Sequence, residues 1–379
     1  MNLRTAIEDL RLVDQHLHSV LPGVVDRPQF ERLLTESDRP APAGTSQFDS
    51  QLGFALRRWC APLLGLHAEV PADAYLHERN SLGETPPSAT LLSAAGCSRL
   101  LVDTGFAAPG SASMAELARL SGAIVHEVVR LEAVAEELAV AGCAAGEFAE
   151  RYRDALWQRS ADAVAVKSIM AYRHGLDFEA ARPGRRDVVE AAGAWLSQAA
   201  SSGRARLTDP VLLREVLWAG VDRGLPIQLH TGFGDPDLDL RRADPLLCRD
   251  FLAGVSDAGV PVVLLHCYPF HRGAAYLAQA YPHVYIDLGL TMNYVGARAA
   301  AVLAEALELA PFAKVLYSSD AFGLPELVYL GARIWRNAMA EVLGGWVGAG
   351  QWSQHDAIRV AGMIGAGNAA RLYGLPEAD

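Results

Sequence analysis

Two histidines separated by one residue close the first apolar run of the chain, Leu12–His18. If this run is a β-strand, alternate side chains face the same side of the sheet, so His16 and His18 point the same way. Two imidazoles on one strand face can share one metal ion. Because the chain has 11 histidines in 379 residues, the pair could also arise by chance, and the motif alone leaves both interpretations open.

Four further apolar runs end on a residue that can bind a metal ion or bridge two ions. These residues are Lys167, His230, His266 and Asp320. Each of them follows a short apolar run and precedes a turn that contains Gly, Pro or Ser. Catalytic residues of an α/β barrel lie at the carboxyl ends of its strands. This repeated placement therefore predicts that the strand-end residues converge on one metal site.

Three of these residues also have ordinary structural interpretations. His230 and His266 could be core histidines bonded to backbone carbonyls, and Asp320 could cap the helix that follows it. As members of a set, the two histidines are better explained as ligands. A carboxylate that orients and deprotonates a metal-bound water suits Asp320 better than a cap does.

Lys167 is the most informative residue of the set, because a lysine at the buried end of an apolar strand is costly unless it is paired. A salt bridge to Asp103 or Glu132 is one interpretation. The other is that CO2 has added to an amine of depressed pKa, which would make Lys167 a carbamate. A carbamate is an anionic oxygen ligand that can bridge two cations, so this interpretation predicts a binuclear centre.

The elements that must position these residues are eight apolar runs that alternate with helical patterns. The predicted strands are Leu12–His18, Ser98–Gly105, Ala123–Glu132, Ala163–Ile169, Pro226–Thr231, Val260–His266, His283–Gly289 and Lys314–Asp320. Eight buried parallel strands are typical of a closed (β/α)8 barrel of the TIM type. A doubly wound sheet is less favoured, since no GxGxxG turn follows the first strand. We expect one domain over residues 1–379, with a helical insertion after the first strand at about residues 20–95.

Composition narrows the class of protein. The chain has a net charge of −11, with 51% hydrophobic and 20% charged residues. This balance is typical of a soluble globular enzyme and argues against a nucleic-acid-binding protein. The first ten residues lack the apolar core of a signal peptide, and no apolar run reaches membrane-spanning length. Five scattered cysteines without a CxxC motif suit reduced thiols, so we expect a cytoplasmic enzyme with no membrane partner.

Three longer stretches carry a resemblance to a known family. They are Lys167–Leu176, Leu229–Leu240 and Leu265–Phe270. Together with the strand-end order HxH, Lys, His, His, Asp, they resemble the amidohydrolase superfamily of metal-dependent hydrolases. They are similar in particular to the amidohydrolase domain found beside glutamine-synthetase-like domains in FluG and nodulin-type proteins. The resemblance covers most of the chain and is weakest over residues 20–95. We expect the glutamine-synthetase-like half to be lacking.

The resemblance implies a binuclear centre of divalent ions. His16 and His18 would bind the first ion, His230 and His266 would bind the second, and carbamylated Lys167 would bridge them. Histidine and carboxylate ligands suit zinc, manganese or iron, and zinc is the favoured ion.

The resemblance also implies a reaction. Two cations would lower the pKa of a bridging water so that hydroxide exists near neutral pH, and one cation would polarise the substrate carbonyl. Asp320 would bind metal and act as the general base, passing the proton to the leaving amine. The sequence therefore predicts a metal-dependent hydrolase of a C–N amide bond in a small polar substrate.

Other reactions and roles stay open at this point. A barrel with one metal ion could catalyse non-oxidative decarboxylation and leave Lys167 as an ordinary ammonium. An iron or manganese pair could activate O2. A regulatory partner of a synthetase would keep the fold without an intact ligand set, and the intact set argues against it. A homodimer is expected only because dimers are common among barrels.

The side chains expected to bind the substrate follow the predicted ligands in the sequence, and they are Tyr172, Arg173, Asp235 and Tyr268. Arg173 could clamp a carboxylate with two hydrogen bonds, or it could pair with Asp177. The acidic loop that begins at Asp235 could receive a substrate ammonium, or it could form turns. An arginine and an acidic cluster over one mouth suit an amino-acid-like or γ-glutamyl-like amide.

Overall fold

A computed structural model describes residues 2–83 and 86–376, and its strands and helices form an α/β fold. Seven parallel strands lie in the described part, and their order in the sheet is the chain order. The strands are β1 (Leu12–Leu17), β2 (Cys97–Asp103), β3 (Ile124–Arg130), β4 (Ala165–Ser168), β5 (Ile227–His230), β6 (Val262–Leu265) and β7 (Val284–Ile286). Seven of the eight predicted strands are therefore confirmed.

Helices separate the strands along the chain. In the described residues they are α1 (Leu3–Glu8), α2 (Arg27–Arg32), α3 (Gln51–Leu63), α4 (Ala72–Ser81), α5 (Pro86–Ala94), α6 (Met114–Ser121), α7 (Leu131–Val140), α8 (Phe148–Arg159), α9 (Met170–Arg173), α10 (Arg185–Ser202), α11 (Pro210–Arg223), α12 (Arg249–Gly254), α13 (His271–Ala280), α14 (Gly289–Val295), α15 (Ala299–Ala306), α16 (Pro325–Gly348), α17 (Gln354–Gly362) and α18 (Asn368–Leu372). None of the helices described is long and apolar enough to cross a membrane.

The chain divides into two compact units. The first contains Met1–Val102, Phe106–His126 and Asp287–Asp379. Here β1 pairs in parallel with β2, and both strands are almost wholly buried. The longest helix, α16, begins with Pro325, which suits the first turn because it needs no N–H donor there. It packs against α1, α3, α5, α14 and α15.

The second unit contains Asp103–Gly105 and Glu127–Ile286. Its strands β4, β5 and β6 are buried along their whole length, as parallel strands covered by helices require. The register aligns Arg130 with Lys167, and Lys167 with Gln228. Because side chains alternate along a strand, His230 lies on the same face as Gln228. The prediction of a single domain over 1–379 stays a prediction.

The eighth predicted strand, Lys314–Asp320, is not a regular strand in the structure. Its backbone still follows β1, since Gln15 N donates to Tyr317 O at 3.2 Å and Asp320 N donates to His16 O at 3.0 Å. The ladder is interrupted where Ser319 N donates to the Asp14 side chain at 2.9 Å. A left-handed φ of +47° at Asp320 then ends the extended conformation. The hydrogen bond to the Asp14 side chain and the turn at Asp320 therefore take the place of part of the backbone pairing of a regular β-strand.

The segment between β1 and β2 contains the four helices α2 to α5, in its described residues. Its place as an insertion in a larger barrel stays a prediction. A buried ion pair fastens it to α16, with Arg79 Nε 2.5 Å from Glu326 Oε1 and Tyr75 OH donating to the same oxygen at 3.1 Å. Burial lowers the pKa of Arg79, but the charge and the hydrogen bond of Glu326, together with Tyr75 and Cys60, outweigh it and the net shift is upward. Arg79 is therefore a buried anchor of this segment, 1% exposed, and not part of a solvated helix face.

We expect Arg79→Met to lower the free energy of unfolding by about 3–5 kcal/mol, because it leaves the buried Glu326 carboxylate without its counter-charge. Urea denaturation monitored by circular dichroism measures this. Adding Glu326→Met should recover part of the loss. The control Arg359→Met, whose partner Asp356 is exposed, should cause no measurable change. A loss below about 1 kcal/mol for Arg79→Met would contradict the importance of the pair.

Candidate metal centre

Three of the predicted ligands come together in the first unit. His16 Nε2 lies 3.1 Å and His18 Nε2 lies 3.7 Å from Asp320 Oδ1, and one ligand atom from each residue lies within 4.8 Å of the others. The two imidazoles meet edge to face, with ring centroids 5.4 Å apart. Both histidines are buried. The arrangement confines two nitrogens and a carboxylate oxygen to a volume that one cation could fill.

The donor set fits a divalent transition ion. Imidazole nitrogen and carboxylate oxygen are the ligands that zinc accepts in tetrahedral sites, and manganese or iron accept them too. One ligand atom of each residue lies within 4.8 Å of the others, which is compatible with all three binding a single ion. His16, His18 and Asp320 could therefore hold one metal ion through His Nε2 and Asp Oδ1 atoms.

Backbone hydrogen bonds fix this geometry. Asp320 N donates to His16 O at 3.0 Å, and His18 N donates to Ala321 O at 2.8 Å. The chain that carries the carboxylate is thus paired directly with the strand that carries the imidazoles. The φ of +47° at Asp320 is unusual for a residue with a side chain. Such strain persists only where the surroundings enforce it, and it is common at functional sites.

A buried polar network supports the strand that carries the histidines. Gln15 Nε2 donates to Asp287 Oδ2, and Ser318 Oγ donates to the same oxygen at 2.8 Å. Gly289 N donates to the other Asp287 oxygen at 3.1 Å, and Tyr373 OH donates to Gln15 Oε1. The Asp287 carboxylate is completely buried, so these donors replace the water that it loses on folding. Through Gln15, these hydrogen bonds connect β1 to Asp287 and to Tyr373.

Asp14 is a further buried carboxylate, two residues before His16 on β1. Burial raises its pKa to about 7, and hydrogen bonds from Ser319 oppose that rise. Asp14, Gln15 and Asp287 were not predicted from the sequence as supporting residues. The signal that could have found them is a polar side chain inside or directly after an apolar strand, where burial requires a partner.

Two more predicted ligands come together in the second unit. The His230 and His266 rings have centroids 4.9 Å apart and are tilted by 58°. Both side chains are buried. His266 has a φ of +67°, which places it in the left-handed region just after β6. Thr231 Oγ1 donates to Leu265 O at 2.7 Å, which ties the end of β5 to the end of β6.

Lys167 also lies in the second unit, where it is almost completely buried. Its Nζ is 3.8 Å from Asp103 Oδ2, and Arg130 Nη2 is 2.5 Å from the same oxygen. Glu132, the other partner that the sequence left open, accepts hydrogen bonds from Ser168 Oγ at 2.7 Å and Ile169 N at 3.0 Å. The structure therefore places Lys167 beside Asp103, as the salt-bridge interpretation expects.

Of the four residues predicted to bind substrate, Tyr172 lies beside His230, and the role of all four stays a prediction. The Tyr172 ring has its centroid 4.4 Å from that of His230. A Cβ at Gly234 would lie only 1.9 Å from the Tyr172 hydroxyl, so a side chain at this position would displace the tyrosine. The Tyr268 ring stacks on His271, with centroids 5.7 Å apart.

Arg173 and Asp235 have structural contacts of their own. Arg173 Nη2 is 3.1 Å from Glu136 Oε1, whereas Asp177, the partner that the sequence suggested, pairs with Arg242 at 2.7 Å. Burial lowers the pKa of Arg173. Asp235 Oδ1 accepts a hydrogen bond from Asp237 N at 2.9 Å, which is the local bond of a turn-forming aspartate.

Comparisons with known proteins give a family model and a curated relative that match this chain. A family model described as "Amidohydrolase" matches residues 105–375. Protein fluG of Emericella nidulans is 35% identical over 226 residues, which are 56% of this chain and 26% of that protein. The chain thus spans about a quarter of the length of this curated relative.

Solved structures share the fold along most of the chain. A candidate metal-dependent hydrolase from Lactobacillus casei ATCC 334 is 29% identical, with a TM-score of 0.86 over 98% of this chain and 97% of that one. A uronate isomerase from Bacillus halodurans C-125 is 14% identical, with a TM-score of 0.66 over 99% and 96% of the two chains. A glucuronate isomerase from Caulobacter crescentus is 15% identical, with a TM-score of 0.65 over 100% and 94%. The likeness to the two isomerases shows a common fold alone.

We expect Asp287→Asn to lower the free energy of unfolding by about 2–3 kcal/mol. The hydrogen-bond donors around Asp287 use both carboxylate oxygens, and asparagine offers them only one acceptor oxygen. Urea denaturation at neutral pH measures the change. The matched control Asp38→Asn alters an exposed carboxylate and should leave the midpoint unchanged. Equal stability of the Asp287→Asn variant and the wild type would refute the network's role.

Proposed function

Because the chain belongs to the amidohydrolase family, we propose that it is a metal-dependent enzyme that hydrolyses a C–N amide bond of a small substrate. The resemblance found in the sequence is thereby confirmed at the level of the family. The observation that carries the proposal is the convergence of His16, His18 and Asp320 on one volume. The description of the Lactobacillus casei relative as a metal-dependent hydrolase supports it.

The three converging residues have defined tasks in this proposal. His16 and His18 hold a divalent cation through Nε2, and Asp320 holds it through a carboxylate oxygen. When bound, that cation supplies polarisation of the scissile carbonyl and a lower pKa for the attacking water. The Asp320 carboxylate accepts a proton from this water and returns it to the leaving nitrogen. The carbonyl carbon gains the water oxygen, the C–N bond breaks, and an acid and an amine leave.

We also propose that a second cation binds His230 and His266, with a carbamate on Lys167 as the bridging ligand. This requires the strands to close as a (β/α)8 barrel, with the 315–320 segment in the place of the eighth strand. The adjacent imidazoles of His230 and His266 support the second site. The 0.86 TM-score to a candidate metal-dependent hydrolase supports the family fold.

A second candidate function keeps only the cation at His16, His18 and Asp320. The ion pair between Lys167 and Asp103 at 3.8 Å favours it, because a lysine that stays an ammonium cannot bridge two metal ions. In this version the enzyme uses a single cation for non-oxidative decarboxylation. The two candidates differ in metal content and in product, so both can be tested.

We expect two divalent ions per chain in protein purified without chelator, as measured by inductively coupled plasma mass spectrometry. Lys167→Ala should lose both ions and regain part of them with a short carboxylic acid such as propionate, which can replace the carbamate. Asp320→Asn should also lower the metal content, and the exposed control Asp250→Asn should not. One ion per chain that persists in Lys167→Ala would contradict the binuclear centre and favour the second candidate.

The reaction itself is tested with γ-glutamyl amides and N-acyl amino acids, by measuring amine release. We expect Asp320→Asn to lower kcat by about 10²–10⁴-fold, the usual effect of losing an acid–base group. KM should change less. Release of CO2 from carboxylic acids, with no amine from any amide, would contradict hydrolysis.

A further inference from the structure

An aromatic pair lies beside one of the candidate metal ligands in the first unit. The Phe106 and Phe322 rings stack with centroids 4.8 Å apart and planes 29° apart. Both rings meet the His18 imidazole edge to face, at 5.6 Å for Phe106 and 6.0 Å for Phe322. Phe322 is half-buried, whereas the Phe106 side chain is 49% exposed. A partly exposed apolar surface therefore lies directly beside the candidate metal ligand His18.

Backbone hydrogen bonds hold this pair in place. After His18, Ser19 Oγ donates to Ala112 O at 2.6 Å, and Ala112 N donates to Val20 O at 2.8 Å. These bonds fasten the loop that begins at Phe106. On the other side, Gly323 N donates to Ser19 O at 3.1 Å, which fastens the segment that carries Phe322. Both rings are thus attached to the same short stretch of chain as His18.

Phe106 keeps about half of its side chain exposed although it lies against His18 and stacks on the half-buried Phe322, which also lies against His18. The exposed half of Phe106 would be more stable in contact with another apolar surface. The Phe106 ring lies beside His18, a candidate metal ligand. A substrate whose reacting group binds at the metal site is therefore well placed to supply that apolar surface. Ligand sites commonly combine such apolar walls with a few polar groups.

We propose that Phe106 and Phe322 form a wall that binds a flat, apolar group of the substrate, next to the amide that is cleaved. This inference rests on the proposed function and narrows its substrate class. The substrate is an amide with an aromatic or similarly planar group near the scissile bond, rather than one that is polar throughout. Stacking and edge contacts between aromatic groups give such a wall its preference for flat rings.

The test uses two hydroxamates, which chelate metal ions and differ only in the group that would touch the wall. Benzohydroxamate and acetohydroxamate are titrated into the zinc-loaded protein by calorimetry. We expect Phe106→Ala to weaken benzohydroxamate binding about tenfold and to change acetohydroxamate binding less than twofold. Phe106→Leu should lose less than Phe106→Ala, because it keeps apolar bulk. The control Phe54→Ala removes another exposed phenylalanine, on α3, and should change neither affinity.

Equal effects of Phe106→Ala on both hydroxamates, or no effect on either, would overturn the inference, and so would failure of the wild type to bind them. A parallel assay compares γ-glutamyl anilide with γ-glutamyl ethylamide. If neither amide is hydrolysed, but Phe106→Ala still weakens the binding of benzohydroxamate more than that of acetohydroxamate, the proposed reaction is wrong and the aromatic wall is supported. If both amides are hydrolysed equally well by the wild type and by Phe106→Ala, the wall fails and the reaction stands.

Discussion

The contact of the Asp320 carboxylate with the His16 and His18 imidazoles is the interaction on which the rest of this account depends. Asp320 lies far from the two histidines in the sequence, and both histidines are buried. Bringing a carboxylate into such a place costs free energy unless a charge or hydrogen bonds compensate. The backbone pairing of residues 317–321 with β1 forces the contact, and a divalent cation is the simplest way to stabilise it.

The surroundings of this contact are arranged to keep it rigid. Behind β1, the Asp287 carboxylate collects hydrogen bonds from both Gln15 and Ser318. Beyond Asp320, the next helix begins within five residues and carries Glu326, which anchors the segment between β1 and β2 through Arg79. Catalytic groups lose activity when they move by an ångström, so buried polar contacts of this kind support the geometry that the reaction needs.

Much of the fold and part of the site could be predicted from the sequence. Apolar runs of strand length predicted β1 to β7, and the polar residues at the ends of the first and eighth predicted strands include His16, His18 and Asp320, which the structure brings together. Periodicity could not show that the 314–320 stretch is irregular, because the cause is a distant hydrogen bond from Ser319 to Asp14. It could not show that Arg79 is buried, since the helix α4 has no marked apolar face and the partner Glu326 lies 247 residues away. Contacts of this range depend on the tertiary fold and leave no local pattern.

The most direct test of the central claim is a crystal structure of the zinc-loaded protein with an anomalous difference map at the zinc edge. We expect a peak bound by His16 Nε2, His18 Nε2 and Asp320, with zinc–ligand distances of about 2.0–2.2 Å. Zinc bound only elsewhere, with these three side chains in contact with no ion, would contradict it.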